Sequence, residues 1–134
     1  MKNNIVILLA VLSTTSCDKH LDNKTFHNKD IIVNWYRIST ITTIHDYVDI
    51  QRWGYTKNIM EANTDGLYDI QIKGDTVILQ VTPSLTIYDL NAKTLGCQIK
   101  LDTSISLYKY LKKYVPESAE AFKNQADSSS SENK

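Results

Sequence analysis

Short runs of β-branched and aromatic residues, separated by tight-turn signals, fill this sequence from Ile31 to Leu101. Such residues favour strands, and a spacing of about eight to twelve residues is typical of antiparallel sheets. Seven strands are predicted, at 31–38, 46–53, 55–62, 67–72, 76–82, 85–90 and 95–101. Since no crossover helix separates them, we expect a mainly β fold, a small antiparallel meander sheet that curls into a sandwich or half-barrel.

The clearest hairpin spans residues 67–82. Gly74 and Asp75 can supply the positive φ angles that a tight primed turn requires. Pro83 has no amide donor for a strand ladder, so the return strand is expected to end before it.

The end of the chain changes from strand to helix periodicity. The apolar positions that recur at helical spacing are Leu107, Leu111, Tyr114 and Val115. Pro116 disfavours helix at the residue before it, which predicts one short C-terminal α-helix covering an open face or edge of the sheet. Residues 117–125 add at most a turn or two, and the serine-rich residues 126–134 are expected to be disordered.

The N-terminus has the three-part layout of a secretory signal peptide. Lys2 precedes an unbroken apolar run over residues 5–12, and small polar residues lead to Cys17. Eight apolar residues reach only about 12 Å as a helix, whereas a bilayer core is about 30 Å thick. The run is therefore too short to be a stable membrane span.

Residues 1–17 resemble the signal peptide of bacterial lipoproteins, in particular those of Bacteroidota. In that family the cysteine receives a diacylglycerol on its sulfur and becomes the mature N-terminus, which here implies lipidation of Cys17. The small residues before the cysteine match, whereas Thr14 stands where the family usually has leucine. The resemblance implies a membrane-anchored protein on the periplasmic or surface face of the outer membrane. Soluble export after ordinary cleavage, with Thr14 and Ser16 at the small-residue positions, is the alternative.

The predicted organisation is a signal peptide (1–16), a lipidated cysteine with a polar tether (17–30), one β-rich domain (31–125) and a disordered tail (126–134). If Cys17 carries lipid, Cys97 has no intramolecular partner. Cys97 alternates with Ile99 and Leu101, so we expect a small apolar residue on the inner face of a strand. A Cys17–Cys97 disulfide is the fallback if lipidation does not occur.

Composition disfavours several classes of function. The chain has 15 basic and 15 acidic residues and a net charge of zero, so it lacks the basic field that nucleic-acid binding uses. The sequence contains no signature of a hydrolase nucleophile, a zinc protease, a P-loop or a dinucleotide site. We expect a protein that binds rather than catalyses, without cofactor or metal.

One constellation invites an enzymatic alternative, a small hydrolase or metal-dependent activity around His45 and Asp49. His45 and Asp46 are adjacent in a predicted strand, so their side chains point to opposite faces. His45 and Asp49 share a face but lie about 13 Å apart along it. Partners from other strands would be needed, and the favoured interpretation is the solvent face of a hairpin.

Aromatic residues form the candidate binding surface. Trp35, Trp53 and Tyr55 could stack on a glycan or anchor an envelope protein, although core packing is the ordinary role of a tryptophan. An accessory subunit of an envelope complex is the structural alternative. The C-terminal helix carries Lys109, Lys112 and Lys113 among tyrosines, and it either faces anionic headgroups or covers the sheet with its lysines in solvent.

Overall fold

The computed structural model describes residues 19–131, with side chains described over residues 23–129. The predictions for the signal peptide and for Cys17 lie outside the described residues. Within this part of the chain, nine strands and two helices follow one another as β1 (Lys19–Asn28), β2 (Ile31–Ser39), β3 (Ile44–Arg52), β4 (Tyr55–Asn63), β5 (Leu67–Lys73), β6 (Thr76–Val81), β7 (Ile87–Leu90), β8 (Lys93–Thr94), β9 (Cys97–Asp102), α1 (Leu107–Tyr114) and α2 (Pro116–Ser131). The mainly β prediction is confirmed.

The strands form two sheets that face each other across one core. The first has the order β1-β2-β3-β4-β7 and is antiparallel throughout. The second has the order β5-β6-β9-β8, and β9 runs parallel to β6. The meander is therefore not continuous, because the chain leaves the second sheet after β6, pairs with β4 as β7, and returns beside β6. The result is an open sandwich.

The core is built from the inward-facing positions of both sheets. Burial alternates along β2, where Ile31, Val33 and Trp35 point inward, as the period of two in the sequence predicts. The second sheet contributes Val77, Leu79 and Ile99. Cys97 is fully buried on β9, which confirms its assignment as an inner-face residue, and it is a free thiol.

The polar tether predicted over residues 17–30 is corrected, because Lys19–Asn28 forms the edge strand β1. An edge strand needs only one apolar face, and Phe26 supplies it by packing against the core. On the other side the Thr25 hydroxyl donates to Asn34 Oδ1 over 2.9 Å. The Asn28 amide donates to the carbonyl of Ile72 over 3.1 Å and so joins the two sheets at this edge.

The C-terminal prediction is confirmed for α1 and corrected beyond it. Ser106 caps α1 by accepting from the amide of Lys109, and Pro116 begins a second helix, where its fixed φ and missing donor are tolerated. The part of the predicted disordered tail that is described, residues 126–131, continues this helix, which packs on α1 through the buried Ala119. Over residues 19–131, neither helix has the length and apolar character to cross a membrane.

Candidate functional site

The turn between β3 and β4 projects two aromatic side chains from the end of the first sheet. Trp53 and Gly54 occupy its central positions, with φ angles of 55° and 79°. Two positive φ angles define a tight primed turn, in which asparagine and glycine are the preferred residues. A tryptophan there costs roughly 1–2 kcal/mol relative to a residue that tolerates the left-handed region. We call Trp53 and Tyr55 the aromatic tip.

The side chain of Arg52 packs beneath Trp53 of the aromatic tip. Its Nε donates to Asp30 Oδ2 over 2.8 Å, and its Nη2 donates to Asp75 Oδ1 over 2.9 Å. Nη1 donates to the carbonyl of Leu95 over 3.3 Å. The guanidinium carbon lies 4.4 Å from the centroid of the Trp53 ring, which is stacking distance for a cation on an indole. The indole therefore rests on a side chain that is itself fixed on three sides.

The ion pair between Arg52 and Asp30 stabilises the support beneath Trp53. The hydrogen bond from Arg52 holds the pKa of Asp30 below its usual range, against a smaller opposing effect of desolvation. The same hydrogen bond raises the pKa of Arg52. Both groups are thus charged at neutral pH, and the ion pair beneath Trp53 is present under all ordinary conditions.

The aromatic tip is exposed and borders a shallow concavity. Trp53 is 62% exposed and Tyr55 is 63% exposed. The concavity has a volume of about 340 Å³ and is also lined by Ile32, Gln51 and Thr56. Because all three guanidinium nitrogens of Arg52 face protein acceptors, its role at this surface is to support the indole. A supported indole with an exposed tyrosine beside it is suited to contact an apolar or aromatic group of a partner.

Trp35 does not belong to this surface, which corrects the predicted set of three. It is 7% exposed, points into the molecule, and makes an edge contact with Tyr114 at 6.3 Å between ring centroids. The ammonium of Lys24 lies 4.5 Å from the Trp35 ring and 4.7 Å from the Tyr114 ring. Trp35 thus fastens α1 to the first sheet.

Beside Trp35 lies a crevice of about 230 Å³ that contains a buried ion pair. Arg37 contacts the carboxylate of Asp46 with two nitrogens, at 2.6 Å and 3.1 Å. Asp46 is fully buried, and Asp65 lies 3.7 Å from Arg37. The hydroxyl of Tyr110 donates weakly to Asp65, at 3.5 Å. Burial raises the pKa of Tyr110. Arg37 is thus paired with two carboxylates within the crevice.

His45 meets a different carboxylate from the one that sequence analysis considered. Its Nδ1 lies 2.8 Å from Glu61 Oε1 on β4, and its ring stacks on Tyr88 at 4.8 Å. Asp49 instead accepts a hydrogen bond from the hydroxyl of Tyr36 over 2.9 Å. Within the described residues, no three His, Cys, Asp or Glu side chains converge as metal ligands. His45 and Glu61 lie on the outer face of the first sheet and not among the lining residues of the two cavities described above.

Two tyrosines of this outer face stack on each other, a pairing that sequence analysis missed. Tyr36 and Tyr47 stack across β2 and β3 with ring centroids 5.6 Å apart. Burial, followed by the hydrogen bond to Asp49, raises the pKa of Tyr36 to about 12. Both tyrosines lie at alternate positions from residues of the core, so the period of two was the signal that could have placed them together.

The basic helix α1 packs against the sheet, and two of its lysines contact Tyr68 instead of extending freely into solvent. The Nζ of Lys113 donates to the carbonyl of Tyr68 over 3.2 Å and lies 4.2 Å from its ring. The hydroxyl of Tyr114 donates to the same carbonyl over 2.6 Å. Lys109 lies 5.2 Å from the Tyr68 ring. These contacts hold α1 against β5.

Comparison with protein-family models, with curated proteins and with solved structures finds no significant match to this chain. Its function must therefore be inferred from the chemistry of its own surfaces.

Proposed function

We propose that this is a lipid-anchored protein of the bacterial cell envelope that binds a partner protein through the aromatic tip and catalyses no reaction. Its anchor is the lipid on Cys17. Its place is the periplasmic or surface face of the outer membrane.

The single observation that supports binding is an exposed tryptophan held in an unfavourable backbone conformation. Trp53 occupies a left-handed position that asparagine or glycine would fill at lower cost, and yet its ring faces solvent. Local preferences are broken mainly where function requires it. Because Arg52 already fixes the indole, binding a partner would cost little side-chain entropy at Trp53.

The chemistry of the aromatic tip favours a protein over a glycan. The charged group nearest the stacking ring, the guanidinium of Arg52, already donates to Asp30, Asp75 and Leu95 and is not available to bind a sugar hydroxyl. Tryptophan and tyrosine are the side chains most enriched at the energetic centres of protein interfaces.

Site-specific crosslinking in whole cells tests the proposed partner. A photo-crosslinking amino acid at the exposed Thr56 would lie beside Trp53 without replacing it. We expect a discrete crosslinked protein band that is lost in the Trp53→Ala variant, since removing an interface anchor worth about 2 kcal/mol weakens binding about thirtyfold. Tyr88→Ala, which removes another exposed tyrosine, is the matched control and should retain the band.

Other outcomes of the crosslinking experiment decide between the alternatives. A protease-resistant smear would indicate a glycan. A band that survives in Trp53→Ala would remove the aromatic tip from the proposal. A partner that remains associated through detergent extraction and purification would make the protein an accessory subunit of an envelope complex.

The anchor is supported by the resemblance of residues 1–17 to lipoprotein signal peptides. Lipoproteins of this kind carry several acyl chains on the cysteine, and two or more are enough for stable membrane attachment. Metabolic labelling with an alkyne fatty acid tests it: label is expected on the wild-type protein and absent from Cys17→Ala. Label that persists in the variant, or is absent from both, would contradict lipidation at this residue.

A further inference from the structure

The turn between β2 and β3, residues 39–44, lies at the opposite end of the first sheet from the aromatic tip. We call it the isoleucine tip. Ile41 is 85% exposed and Ile44 is 48% exposed, and the remaining residues of the turn are serine and threonine. The turn has no charged residue, and its two isoleucine side chains expose apolar surface to water, which is unfavourable.

Thr40 joins several polar groups of this turn to one another. The hydroxyl oxygen of Thr40 accepts from the amides of Thr42 and Thr43, at 3.4 Å and 3.0 Å. The amide of Thr40 donates to the carbonyl of Thr43 over 2.7 Å. The Thr40 hydroxyl also lies 2.9 Å from that of Thr43. The amides of Thr40, Thr42 and Thr43 thus have partners inside the turn, which lowers the cost of moving these groups out of water.

The direction of β1 identifies what lies beside the isoleucine tip. β1 is antiparallel to β2, and Lys19 pairs with Ser39, so the chain enters the domain next to the turn. Cys17 precedes Lys19 by two residues, and two residues span at most about 7 Å. A lipid on Cys17 would therefore enter the bilayer beside Ile41.

We propose that the isoleucine tip is a membrane-contact site, which inserts Ile41 at the boundary of headgroups and acyl chains next to the anchor. This inference rests on the proposed lipid anchor at Cys17. Its consequence is orientation: β3 has nine residues and a rise of about 3.3 Å per residue, so the aromatic tip stands about 30 Å from the bilayer.

An exposed carboxylate near this end limits the depth of insertion. Asp65 lies in the turn after β4, whose Asn63 pairs with His45 at the start of β3. Its carboxylate is 71% exposed. An exposed carboxylate stays in water or among headgroups, so Ile41 reaches the interface and not the centre of the bilayer.

Fluorescence at single positions tests the proposal on the lipidated full chain. Ile41→Cys and Tyr55→Cys each carry an environment-sensitive label, and the protein is reconstituted into vesicles of phosphatidylethanolamine and phosphatidylglycerol. Unlabelled Cys97 is buried, so the wild-type protein treated in the same way measures the background. We expect the label at residue 41 to shift its emission to shorter wavelength and to be quenched by a lipid with a nitroxide near its headgroup. The label at residue 55 should show neither effect.

Each outcome of this measurement is decisive. If the protein floats with the vesicles but the label at residue 41 emits as it does in water, the membrane-contact site is overturned and the anchor stands. Quenching at both positions overturns the upright orientation. A chain that carries no lipid and does not float overturns the anchor, and with it the membrane contact. Because Ile41 is exposed, circular dichroism should show that Ile41→Cys is folded. A label on Ile44→Cys repeats the measurement at a second position of the same turn and must show the same emission shift and quenching.

Discussion

The buried ion pair between Arg37 and Asp46 gives the sharpest prediction about stability. Arg37→Met keeps most of the packing volume but leaves the Asp46 carboxylate, fully buried, without its bidentate partner. Breaking a buried pair in this way costs about 3–5 kcal/mol. Arg37 itself is 23% exposed, so water can enter in its place, and we expect the lower end, about 3 kcal/mol.

The reverse substitution should be milder. Asp46→Val leaves a guanidinium that reaches solvent and lies 3.7 Å from Asp65, so we expect a loss of about 1–2 kcal/mol. The double variant buries no unpaired charge and should fall within about 1 kcal/mol of the wild-type protein.

Urea unfolding of the four proteins, followed by tryptophan fluorescence in the non-lipidated Cys17→Ala background, measures these differences. We predict that the effects of the two substitutions on the unfolding free energy are strongly non-additive. The second substitution should restore most of the stability that the first removes. A loss below about 1 kcal/mol for Arg37→Met, or a double variant as unstable as the sum of the two single variants, would refute it.

Three further predictions concern single residues. Gly96 has a φ of 72°, and a methyl group added there would lie 3.1 Å from the Trp53 ring, so Gly96→Ala should lower the unfolding free energy by about 1–2 kcal/mol and alter Trp53 fluorescence. Gly74 has a φ of 58° but no neighbouring atoms, so Gly74→Ala should lower the stability without the fluorescence change. Because the pKa of Tyr36 is raised to about 12 while an unfolded tyrosine ionises near pH 10, stability should fall as pH rises from 10 to 12; Tyr36→Phe should flatten that decline, seen by denaturant titration at each pH, and an unchanged slope would contradict the assignment. Burial raises the pKa of the Cys97 thiol, so it should resist a thiol reagent at pH 8 and react fully in urea; rapid reaction of the folded protein would contradict its burial.

The hairpins of the fold were predictable because their signals are local. Two apolar runs flank a glycine turn within residues 67–82, and the structure places β5 and β6 there, with clean alternation of burial along β6. The parallel pairing of β6 and β9 was not predictable, since it depends on β7 joining the other sheet. β1 was missed because a polar edge strand, buried on one side only, has almost no apolar periodicity.

The candidate surface was half predictable for a similar reason. Trp53 and Tyr55 flank a glycine at the end of an alternating run, so a turn position was evident from the sequence. Trp35 shares its parity with Ile31 and Val33, and that pattern points to the core, where the residue lies. The contact of His45 with Glu61 depends on the register of two strands and on a bulge in β4, and no sequence pattern reports either.

Mass spectrometry of the N-terminal peptide of the native protein, purified from the envelope, tests the account most directly. The proposed lipid at the start of the chain would account for both the proposed membrane location and the outward display of Trp53. We predict that the mature chain begins at Cys17 and carries acyl groups on that residue. A chain that still begins at Met1, or that begins elsewhere and has an unmodified Cys17, would contradict the account.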